Sequence, residues 1–510
     1  MTSLQPSGGV VRVILRGEDV DSMDPALAYA VGAWSLIHTT CALLLRPTRP
    51  VDGLGRDALE PEVAVAAPRV SNGGRVYTFT LRTGFRFSDG SPVRASAFAR
   101  AIHRTLAPGV ASPWGVYARD IVGADRVASG KASEASGIVA RGNTLVIRLK
   151  RPVPDLTFRT TSWCAVPPTL PSDREGIGAY PAAGPYYVAE HVPGVRAEIR
   201  RNRFYRGARP HHVDGFTADL RASSFDDVVD RIERGVADWG WVLPEVLLEP
   251  GRRLASRYGV NRGRFFVQPG TTTFGFVFNM TRPLFRDNPK LRQAVNFAID
   301  RAAVRRAGGG ALRSRLTDQY IPPGMPGFSD ARIYPLDRPD LGRARELAQG
   351  NTRGGVAVLF TVDSPPRLAA AQAVKQSLAK IGLDVRIRRV PLPTYFGRLG
   401  ARGDYDIGFR PWVPDYGDPF AVLNVNFDGR FIGDSNWARL DLPGVNRRLR
   451  DAASLTGHAR RRAYAALDAQ LARETAPMVA VEVVNDVTFV SRRIGCVGRV
   501  FDLGRVCLRP

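Results

Sequence analysis

Alternating apolar and polar positions predict strands along much of this chain. The run VVRVIL at residues 10–15 predicts a first strand, and residues 76–93 predict two strands closed by an Asp-Gly turn. A second hairpin is predicted at residues 184–205, around a Pro-Gly turn. Strand residues resume at 267–279 around another Pro-Gly pair, which predicts a break in the fold there.

Apolar residues at helical spacing predict helices between these strands. Helices are expected over residues 26–45, from Ser96 onwards, and over residues 291–304. Residues 356–390 carry a strand, helix, strand pattern of the length that a parallel crossover needs. Strand and helix signals continue along the chain without a clean linker, which indicates domains interleaved in sequence.

The length of the chain predicts more than one domain. A single hydrophobic core stops growing at roughly 250 to 300 residues, so 510 residues predict two or three domains. The content of 44% hydrophobic and 24% charged residues is that of an ordinary globular protein. Because no run of about 18 apolar residues occurs, no membrane-spanning segment is predicted.

The formal net charge of +24 suggests an acidic partner such as nucleic acid or an anionic membrane surface. The basic residues are scattered, however, and all but five of the 72 are arginine, which is a compositional habit of GC-rich genomes. No array of basic and aromatic residues accompanies the charge. Nucleic-acid binding is therefore not predicted.

Four cysteines are present, and the sequence allows three pairings among them. Cys496 and Cys507 flank a short apolar segment and are close enough to form a disulfide, which would indicate an oxidising compartment. Small buried thiols are the alternative. No CxxC or HxxxH spacing occurs, so no metal site is predicted.

No known catalytic motif is present. The GxSxG, HExxH, P-loop and GxGxxG patterns are all missing. His211 and His212 are adjacent but lie in a charged segment, where a solvated pair is the simpler interpretation. Neither an enzymatic activity nor a cofactor is predicted.

Two carboxylates lie in the segment RPWVPDYGDPF, residues 410–420, directly after a strand-like run. Asp418 precedes Pro419 and suits a turn in which its carboxylate accepts a backbone hydrogen bond. Asp415 lies between aromatic residues, where an acid suits the capture of an ammonium group through an ion pair and cation-π attraction. A catalytic pair of acids is the alternative, and nothing in the sequence requires it.

The amino-terminal sequence MTSLQPSGG has neither the basic start nor the apolar core of a signal peptide. Taken literally, this predicts a cytoplasmic protein. A polar, glycine-containing leader before the first strand is also what remains after a secretion signal is removed.

Several segments together resemble the solute-binding proteins of peptide and nickel ABC importers, extracellular family 5. The resemblance rests on five ordered motifs and a matching tail, APMVAVEVVNDVTFVSRRI. The motifs are SMDPA, YTFTLRTGFRFSDGSPV, AAGPYYVAEHVPGVRAEIRRNRFYRGARP, FGFVFNMTRPLFRDNPKLRQAVNFAIDR and DYDIGFRPWVPDYGDPF. One such match would be weak, but the ordered set covers nearly the whole chain.

The resemblance implies an α/β fold of the periplasmic-binding-protein type II class, with two lobes, a hinge and an inserted subdomain. The first lobe is then expected at residues 1–49, 184–268 and 478–510. The inserted subdomain is expected at residues 50–183, and the second lobe at residues 269–477.

The resemblance also implies a site. In peptide-binding members the acid of the W..DY segment pairs with the α-amino group of the peptide, and Asp415 occupies that position here. Arg410 stands near positions where many members carry small residues, so the floor of the pocket is expected to differ. The predicted ligand-binding residues are Asp415, Trp412, Tyr416, Arg410, Tyr29 and Asn436.

The function implied is that of an extracytoplasmic protein, in the periplasm or as a cell-surface lipoprotein. It would bind a peptide or similar small solute between its lobes and deliver it to the permease subunits of an ABC importer, as a monomer and without nucleic acid. In an exported protein, the pairing of Cys496 with Cys507 leaves Cys41 and Cys164 as a second disulfide. The alternative function is an intracellular ligand-sensing domain of a transcription regulator.

Overall fold

The computed structural model describes residues 8–48, 58–241, 249–497 and 502–509. Its strands are β1 (Val10–Ile14), β2 (Leu45–Thr48), β3 (Ala58–Pro61), β4 (Arg69–Ser71), β5 (Val76–Thr80), β6 (Ile138–Arg141), β7 (Thr144–Arg148), β8 (Tyr186–Val192), β9 (Arg196–Arg201), β10 (Gly215–Asp219), β11 (Phe265–Phe278), β12 (Ser314–Leu316), β13 (Val356–Val362), β14 (Asp384–Val390), β15 (Ile407–Trp412), β16 (Met478–Phe489), β17 (Ile494–Gly495) and β18 (Cys507–Leu508). Its α-helices are α1 (Val31–Thr40), α2 (Ala95–Leu106), α3 (Gly115–Ala118), α4 (Ala124–Ala128), α5 (Leu156–Arg159), α6 (Phe225–Glu233), α7 (Glu249–Tyr258), α8 (Pro289–Ala298), α9 (Arg301–Gly308), α10 (Leu341–Ala348), α11 (Pro365–Ala379), α12 (Leu392–Ala401), α13 (Leu423–Phe427), α14 (Pro443–Ser454) and α15 (Gly457–Gln470).

Three larger sheets divide the chain into two lobes and an inserted subdomain. The first lobe carries a four-stranded sheet in the order β1-β10-β9-β8. The inserted subdomain carries a second four-stranded sheet, β4-β5-β7-β6, with every pair antiparallel. The second lobe carries a six-stranded mixed sheet, β12-β16-β11-β15-β13-β14. Each sheet packs against helices over its own apolar core, as expected for a chain of this length.

The parallel crossover predicted at residues 356–390 is confirmed. Strands β13 and β14 pair in parallel from Val356↔Asp384 to Val362↔Val390, and α11 connects them. Pro365 and Pro366 stand at the start of α11, where the missing amide hydrogens cost no helical bond. The hairpin predicted at residues 184–205 is also confirmed, as β8 and β9 around Gly194.

Strands β11 and β16 pair along most of their length and link the lobes. A register shift interrupts the pairing between Gln268 and Thr272, where Gln268 faces Asp486 and Thr272 faces Val484. The break predicted at residues 267–279 is therefore a bulge within one strand. We propose that the lobes divide at this bulge, which keeps the predicted boundary at 268/269. The same proposal moves the boundary at 477/478 to the bulge, because Met478 and the residues up to Val484 pair within the second-lobe sheet. The boundary at 49/50 lies outside the described residues.

Two predicted helices differ from the observed ones. The helix expected over residues 26–45 is confined to α1, because the Asp24 carboxylate accepts the Ala26 amide and Asp21 accepts the amides of Tyr29 and Ala30, which holds this segment in turns. The helix expected over residues 291–304 is two helices, because the Asp300 side chain caps α9 by accepting the Ala303 amide.

Two other local predictions need correction. The helix predicted from Ser96 begins one residue earlier, at Ala95, and no side chain caps it. The second strand predicted within residues 76–93 is a single bridge between Arg86 and Pro92 around the Asp-Gly turn, where Gly90 has φ +87°. Strand β5 pairs instead with β4 and β7.

Two disulfides join distant or terminal parts of the chain. Cys41 bonds to Cys164, which ties the first lobe to the inserted subdomain. Cys496 bonds to Cys507, which closes a short segment beside β17 and β18. These are the two pairs named from the sequence. A buried ion pair from Arg104 on α2 to Asp24, at 2.9 and 2.5 Å, adds a second link between the first lobe and the inserted subdomain.

One carboxylate holds both ends of the chain in the first lobe. Asp238 is fully buried and binds Arg12 of β1 at 2.9 Å and Arg493 at 2.8 Å. Ser491 donates a further hydrogen bond to it at 2.8 Å. Burial raises the pKa of Asp238, but the contacts with Arg12 and Ser491 outweigh it and hold the pKa below its usual value.

Within the described residues, none of the helices is long and apolar enough to cross a bilayer.

Candidate functional site

The loop that follows β15 is held by its own residues. The Trp412 indole donates to the Ala421 carbonyl at 2.8 Å and bridges the ends of the loop. The Asp418 carboxylate accepts the Phe420 amide at 2.9 Å, two residues on, which is the turn contact predicted from the sequence. The position of Asp415 between these two anchors is therefore fixed by the loop.

Asp415 meets all three parts of the molecule. It belongs to the second lobe, and the hydroxyl of Tyr117, on α3 of the inserted subdomain, donates to its Oδ2. The Tyr29 hydroxyl of the first lobe also lies close enough to the Asp415 carboxylate to lower its pKa. Tyr29 as a residue is 45% exposed, yet its hydroxyl is enclosed by protein, and this enclosure together with the Asp415 charge raises the pKa of the phenol. The Asp415 carboxylate thus lies where the two lobes and the subdomain converge.

The surroundings of Asp415 raise its pKa to about 6. Burial is the largest cause, because it penalises the charged form. Hydrogen bonds from Tyr117 and Tyr29 oppose the rise, the Asp434 carboxylate adds to it and the Arg410 guanidinium reduces it. The group therefore changes charge close to neutral pH.

An aromatic cluster surrounds the acid and spans the lobes. Each ring of the cluster contacts at least one other, with centroids 5.2 to 6.4 Å apart. The members are Tyr29, Trp34, Trp114, Tyr117, Tyr416 and Phe158. Tyr416 comes from the second lobe, whereas Tyr117 and Phe158 come from the inserted subdomain. The faces of such rings attract cations.

A buried ionic network lies behind the aromatic cluster. Tyr416 donates to Asp155 at 2.8 Å, and Asp155 pairs with Arg159 at 2.8 Å, both within the inserted subdomain. Arg460 on α15 binds Asp418 through two hydrogen bonds of 3.0 and 2.6 Å and lies 3.9 Å from Asp155. Although burial opposes it, the two guanidiniums keep the pKa of Asp155 low. Asp155, Arg159, Tyr416, Asp418 and Arg460 form this network and join the subdomain to the second lobe.

Arg410 lies in the interior of the second lobe beside this site. Its guanidinium is stacked between the rings of Trp412 and Trp437, at 4.5 and 4.0 Å from their centroids. It donates to Asn426 Oδ1 and, at 3.0 Å, to the Ser435 carbonyl. Trp412 therefore serves both to close the loop and to hold Arg410.

A family comparison decides the class of protein. The sequence pattern of the family described as "Bacterial extracellular solute-binding proteins, family 5 Middle" matches residues 58–434. The chain belongs to this family.

Known relatives of this family 5 protein share both sequence and fold with it. The "Oligopeptide-binding protein OppA" of Bacillus subtilis is 25% identical over 389 residues, which cover 72% of this chain and 69% of OppA. The "Probable deoxycholate-binding periplasmic protein YgiS" of Escherichia coli is 24% identical over 434 residues, covering 81% of this chain and 78% of YgiS.

Solved structures show the same architecture. "Clavulanic acid biosynthesis oligopeptide binding protein 2" superposes with a TM-score of 0.89 at 24% identity, over 100% of this chain and 96% of that one. Haemophilus influenzae OppA in complex with the peptide RPPGFSPFR superposes with a TM-score of 0.75 at 20% identity, over 98% of this chain and 99% of that one.

The fold predicted from the sequence, the two-lobed type II binding-protein fold, is confirmed by these comparisons. The family and the reported relatives are binding proteins rather than enzymes. They give no support to the alternative of a domain from a transcription regulator.

The structure brings most of the predicted site residues of this family 5 protein together and separates one of them. Asp415, Tyr416 and Tyr29 meet in the aromatic cluster, with Trp412 and Arg410 beside them. Asn436 is 1% exposed, and its amide nitrogen donates to the carbonyls of Asp428 and Leu440. Because those contacts occupy Asn436 in its own loop, we leave it out of the proposed site.

Sequence reasoning missed the residues that the inserted subdomain contributes. Tyr117, which binds Asp415, lies 298 residues earlier in the chain. Trp114 and Tyr117 at i, i+3 spacing in WGVYA were a local signal of an aromatic surface. Asp155 and Arg159 are a local i,i+4 pair in the sequence, but the contact of Asp155 with Tyr416 and that of Arg460 with Asp418 join distant residues and carry no local signal.

Proposed function

We propose that this protein binds a peptide or similar small solute with a free amino group between its lobes and delivers it to an ABC importer. The observation that carries the proposal is the Asp415 carboxylate, which accepts a hydrogen bond from Tyr117 of the inserted subdomain and lies near the Tyr29 hydroxyl of the first lobe inside an aromatic cluster. Relatives whose names state oligopeptide binding support the peptide class.

The same proposal places the protein outside the cytoplasm. All four cysteines of the chain are in disulfides, and disulfides persist in oxidising compartments. The family description, extracellular solute-binding proteins, agrees with that location. In this setting the permease subunits of the importer are the partners, and the protein acts as a monomer.

The chemistry of capture follows from the geometry. An ammonium group that reaches Asp415 loses its hydrating water. In its place it gains an ion pair with the carboxylate, hydrogen bonds to tyrosine hydroxyls, and contact with aromatic ring faces. Because the carboxylate is enclosed, the ion pair is screened less than it would be at the surface. Binding at the junction of the lobes also favours the closed arrangement over the open one.

Replacing Asp415 by asparagine tests the proposal. The change keeps the size of the side chain and removes its charge, so affinity for a free tripeptide should fall by about 2 to 4 kcal/mol. Isothermal titration calorimetry with a panel of free tripeptides measures the loss. Asp451→Asn, at an exposed position on α14, is the matched control for the change in net charge and should leave affinity unchanged.

Acetylating the amino group of the peptide provides the second half of this test. It should remove most of the affinity of the wild-type protein and little more from Asp415→Asn, since both changes delete one interaction. If the wild-type protein binds acetylated and free peptides equally, Asp415 is not an amine clamp and the solute is not a free peptide.

Acidification should weaken binding. Because the raised pKa of Asp415 is about 6, the carboxylate is ionised at pH 7.5 and becomes protonated as the pH falls below about 6. A protonated carboxyl group gives up its charge, so affinity for a free peptide should fall between pH 7 and pH 5. Titrations across this range should show a decline for wild type and a much flatter profile for Asp415→Asn. Parallel declines in both proteins would assign the effect to another group.

A further inference from the structure

The first lobe and the inserted subdomain are joined as one body. The disulfide and the buried ion pair described above link them. The indole nitrogens of Trp34 in the first lobe and Trp114 in the subdomain both donate to the Ala28 carbonyl at 2.9 Å. Ser112 of the subdomain also donates to a first-lobe carbonyl, that of Ala26. Any movement that admits a solute must therefore separate the second lobe from this body.

The solute site opens only through such a separation. Asp415 is covered from the subdomain side by Tyr117, and its enclosure by protein is the largest cause of its raised pKa. The second lobe continues into the first through β11 and β16, whose pairing is interrupted at the bulge between Gln268 and Thr272. A protein that takes up and releases a solute at Asp415 needs a junction between the subdomain and the second lobe that forms and breaks repeatedly.

Two buried ion pairs meet at this junction, and each is complete within its own part of the molecule. Asp155 pairs with Arg159 at 2.8 Å in the subdomain. Asp418 accepts two hydrogen bonds from Arg460, of 3.0 and 2.6 Å, in the second lobe. All four side chains are at most 9% exposed. Because each charge keeps its partner, separating the two parts leaves no buried charge unpaired, which would be the costliest result of opening.

Only weaker contacts cross from one pair to the other. The Tyr416 hydroxyl of the second lobe donates to Asp155 Oδ2 at 2.8 Å. The Arg159 guanidinium lies 4.6 Å from the centroid of the Phe420 ring, and Arg460 is 3.9 Å from Asp155. The hydrogen bond from Tyr416 is directional and charge-assisted, so it is the strongest of these contacts. All of the groups belong to the protein, so the contacts do not require a solute.

We infer that the Tyr416 hydroxyl and the Asp155 carboxylate form a reversible latch, which holds the second lobe against the subdomain behind the solute site. The inference rests on the proposed function in one respect, namely that a solute enters between the lobes. Tyr416 is then a positioning residue, because its hydroxyl controls how often the junction opens while its ring stays in the aromatic cluster. A hydrogen bond to a charged group can shift such an equilibrium by about 10- to 100-fold.

The variant Tyr416→Phe tests the latch, because it removes the hydroxyl and keeps the ring. Hydrogen–deuterium exchange of the protein without solute, followed by mass spectrometry, measures how often the junction opens. The amides of residues 155–163 and 412–421 should exchange at least about 10-fold faster in the variant than in wild type. The amides of β13 and β14, inside the second-lobe sheet, should exchange as they do in wild type.

Tyr464→Phe is the matched control. Tyr464 is fully buried in the second lobe, and its hydroxyl donates to Asn424 Oδ1 at 2.6 Å in the same lobe. Its ring lies 5.0 Å from the Arg460 guanidinium, so it borders the same ionic network. The control thus loses a buried hydroxyl of the same kind without losing a contact across the junction. Exchange of residues 155–163 and 412–421 should stay at its wild-type rate.

Dissociation kinetics connect the latch to capture of the solute. Stopped-flow displacement of the tripeptide Ala-Ala-Ala should show dissociation about 10-fold faster from Tyr416→Phe than from wild type or Tyr464→Phe. Equal exchange of both junction segments in wild type and Tyr416→Phe overturns the inference, whatever the peptide does. Exchange raised as much by Tyr464→Phe also overturns it, because the loosening would then be general. If Ala-Ala-Ala does not bind but Tyr416→Phe still opens the junction, the latch stands and the proposed class of solute is wrong.

Discussion

Replacing Asp418 by asparagine is expected to lower the free energy of unfolding by about 3 to 5 kcal/mol. The carboxylate and its partner Arg460 are 7% and 6% exposed, and two hydrogen bonds of 3.0 and 2.6 Å join them. Asparagine can still accept the Phe420 amide and keep the turn. It cannot balance the Arg460 charge, which would remain buried with only Asp155, 3.9 Å away, to offset it. Urea denaturation followed by circular dichroism measures the loss.

An exposed ion pair provides the control for this expectation. Arg398 and Asp404 lie 2.6 Å apart with side chains 38% and 41% exposed, so Asp404→Asn should cost about 0 to 1 kcal/mol. Combining Asp418→Asn with Arg460→Met should cost less than the sum of the single changes, because the second removes the stranded charge. A loss below about 1 kcal/mol for Asp418→Asn would mean that the buried ionic network does not stabilise the folded protein.

Removing the disulfide between Cys41 and Cys164 is expected to destabilise the protein more than removing the one between Cys496 and Cys507. The first closes a loop with a sequence separation of 123 residues and the second one of 11 residues. In the chain-entropy description a loop of about 100 residues contributes about 4.7 kcal/mol and one of about 15 residues about 3 kcal/mol. The cost should appear in thermal and urea unfolding of the paired Cys→Ser variants.

The two double variants serve as controls for each other, because each replaces one disulfide by two hydroxyl groups in an otherwise unchanged protein. Reduction of the wild-type protein should reproduce the sum of the two losses. A larger loss for the terminal pair would show that the link between the first lobe and the inserted subdomain is already secured by Asp24 and Arg104.

Local elements of the fold were predictable from the sequence because their signals are local. The crossover through β13, α11 and β14 shows strand and helix periods in one continuous stretch, and its proline residues mark where the helix begins. The division of residues 291–304 into α8 and α9 depends on Asp300, which caps α9. In the sequence, a capping aspartate cannot be told apart from any other surface aspartate. The bulge in β11 falls at the Pro269-Gly270 pair, which marks its position locally, but its form as a bulge within one strand depends on pairing with β16, more than 200 residues later.

The residues of the candidate site likewise include some that local sequence signals predict and others that depend on distant contacts. Asp415 and its aromatic neighbours Trp412 and Tyr416 belong to one motif, which the resemblance identified from consecutive residues. Tyr117 and Asp155 contact Asp415 and Tyr416 across sequence separations of 298 and 261 residues, so no spacing along the chain relates them. Asn436 stays an untested prediction, although its amide nitrogen already donates to two carbonyls of its own loop.

The contacts of Asp238 determine which segments of the chain the first lobe needs in order to assemble. Asp238 binds Arg12, 226 residues earlier, and also Ser491 and Arg493, 253 and 255 residues later. A fragment that stops before Ser491 lacks two of these three partners, so its first lobe is expected to be incomplete even where its sheet is present.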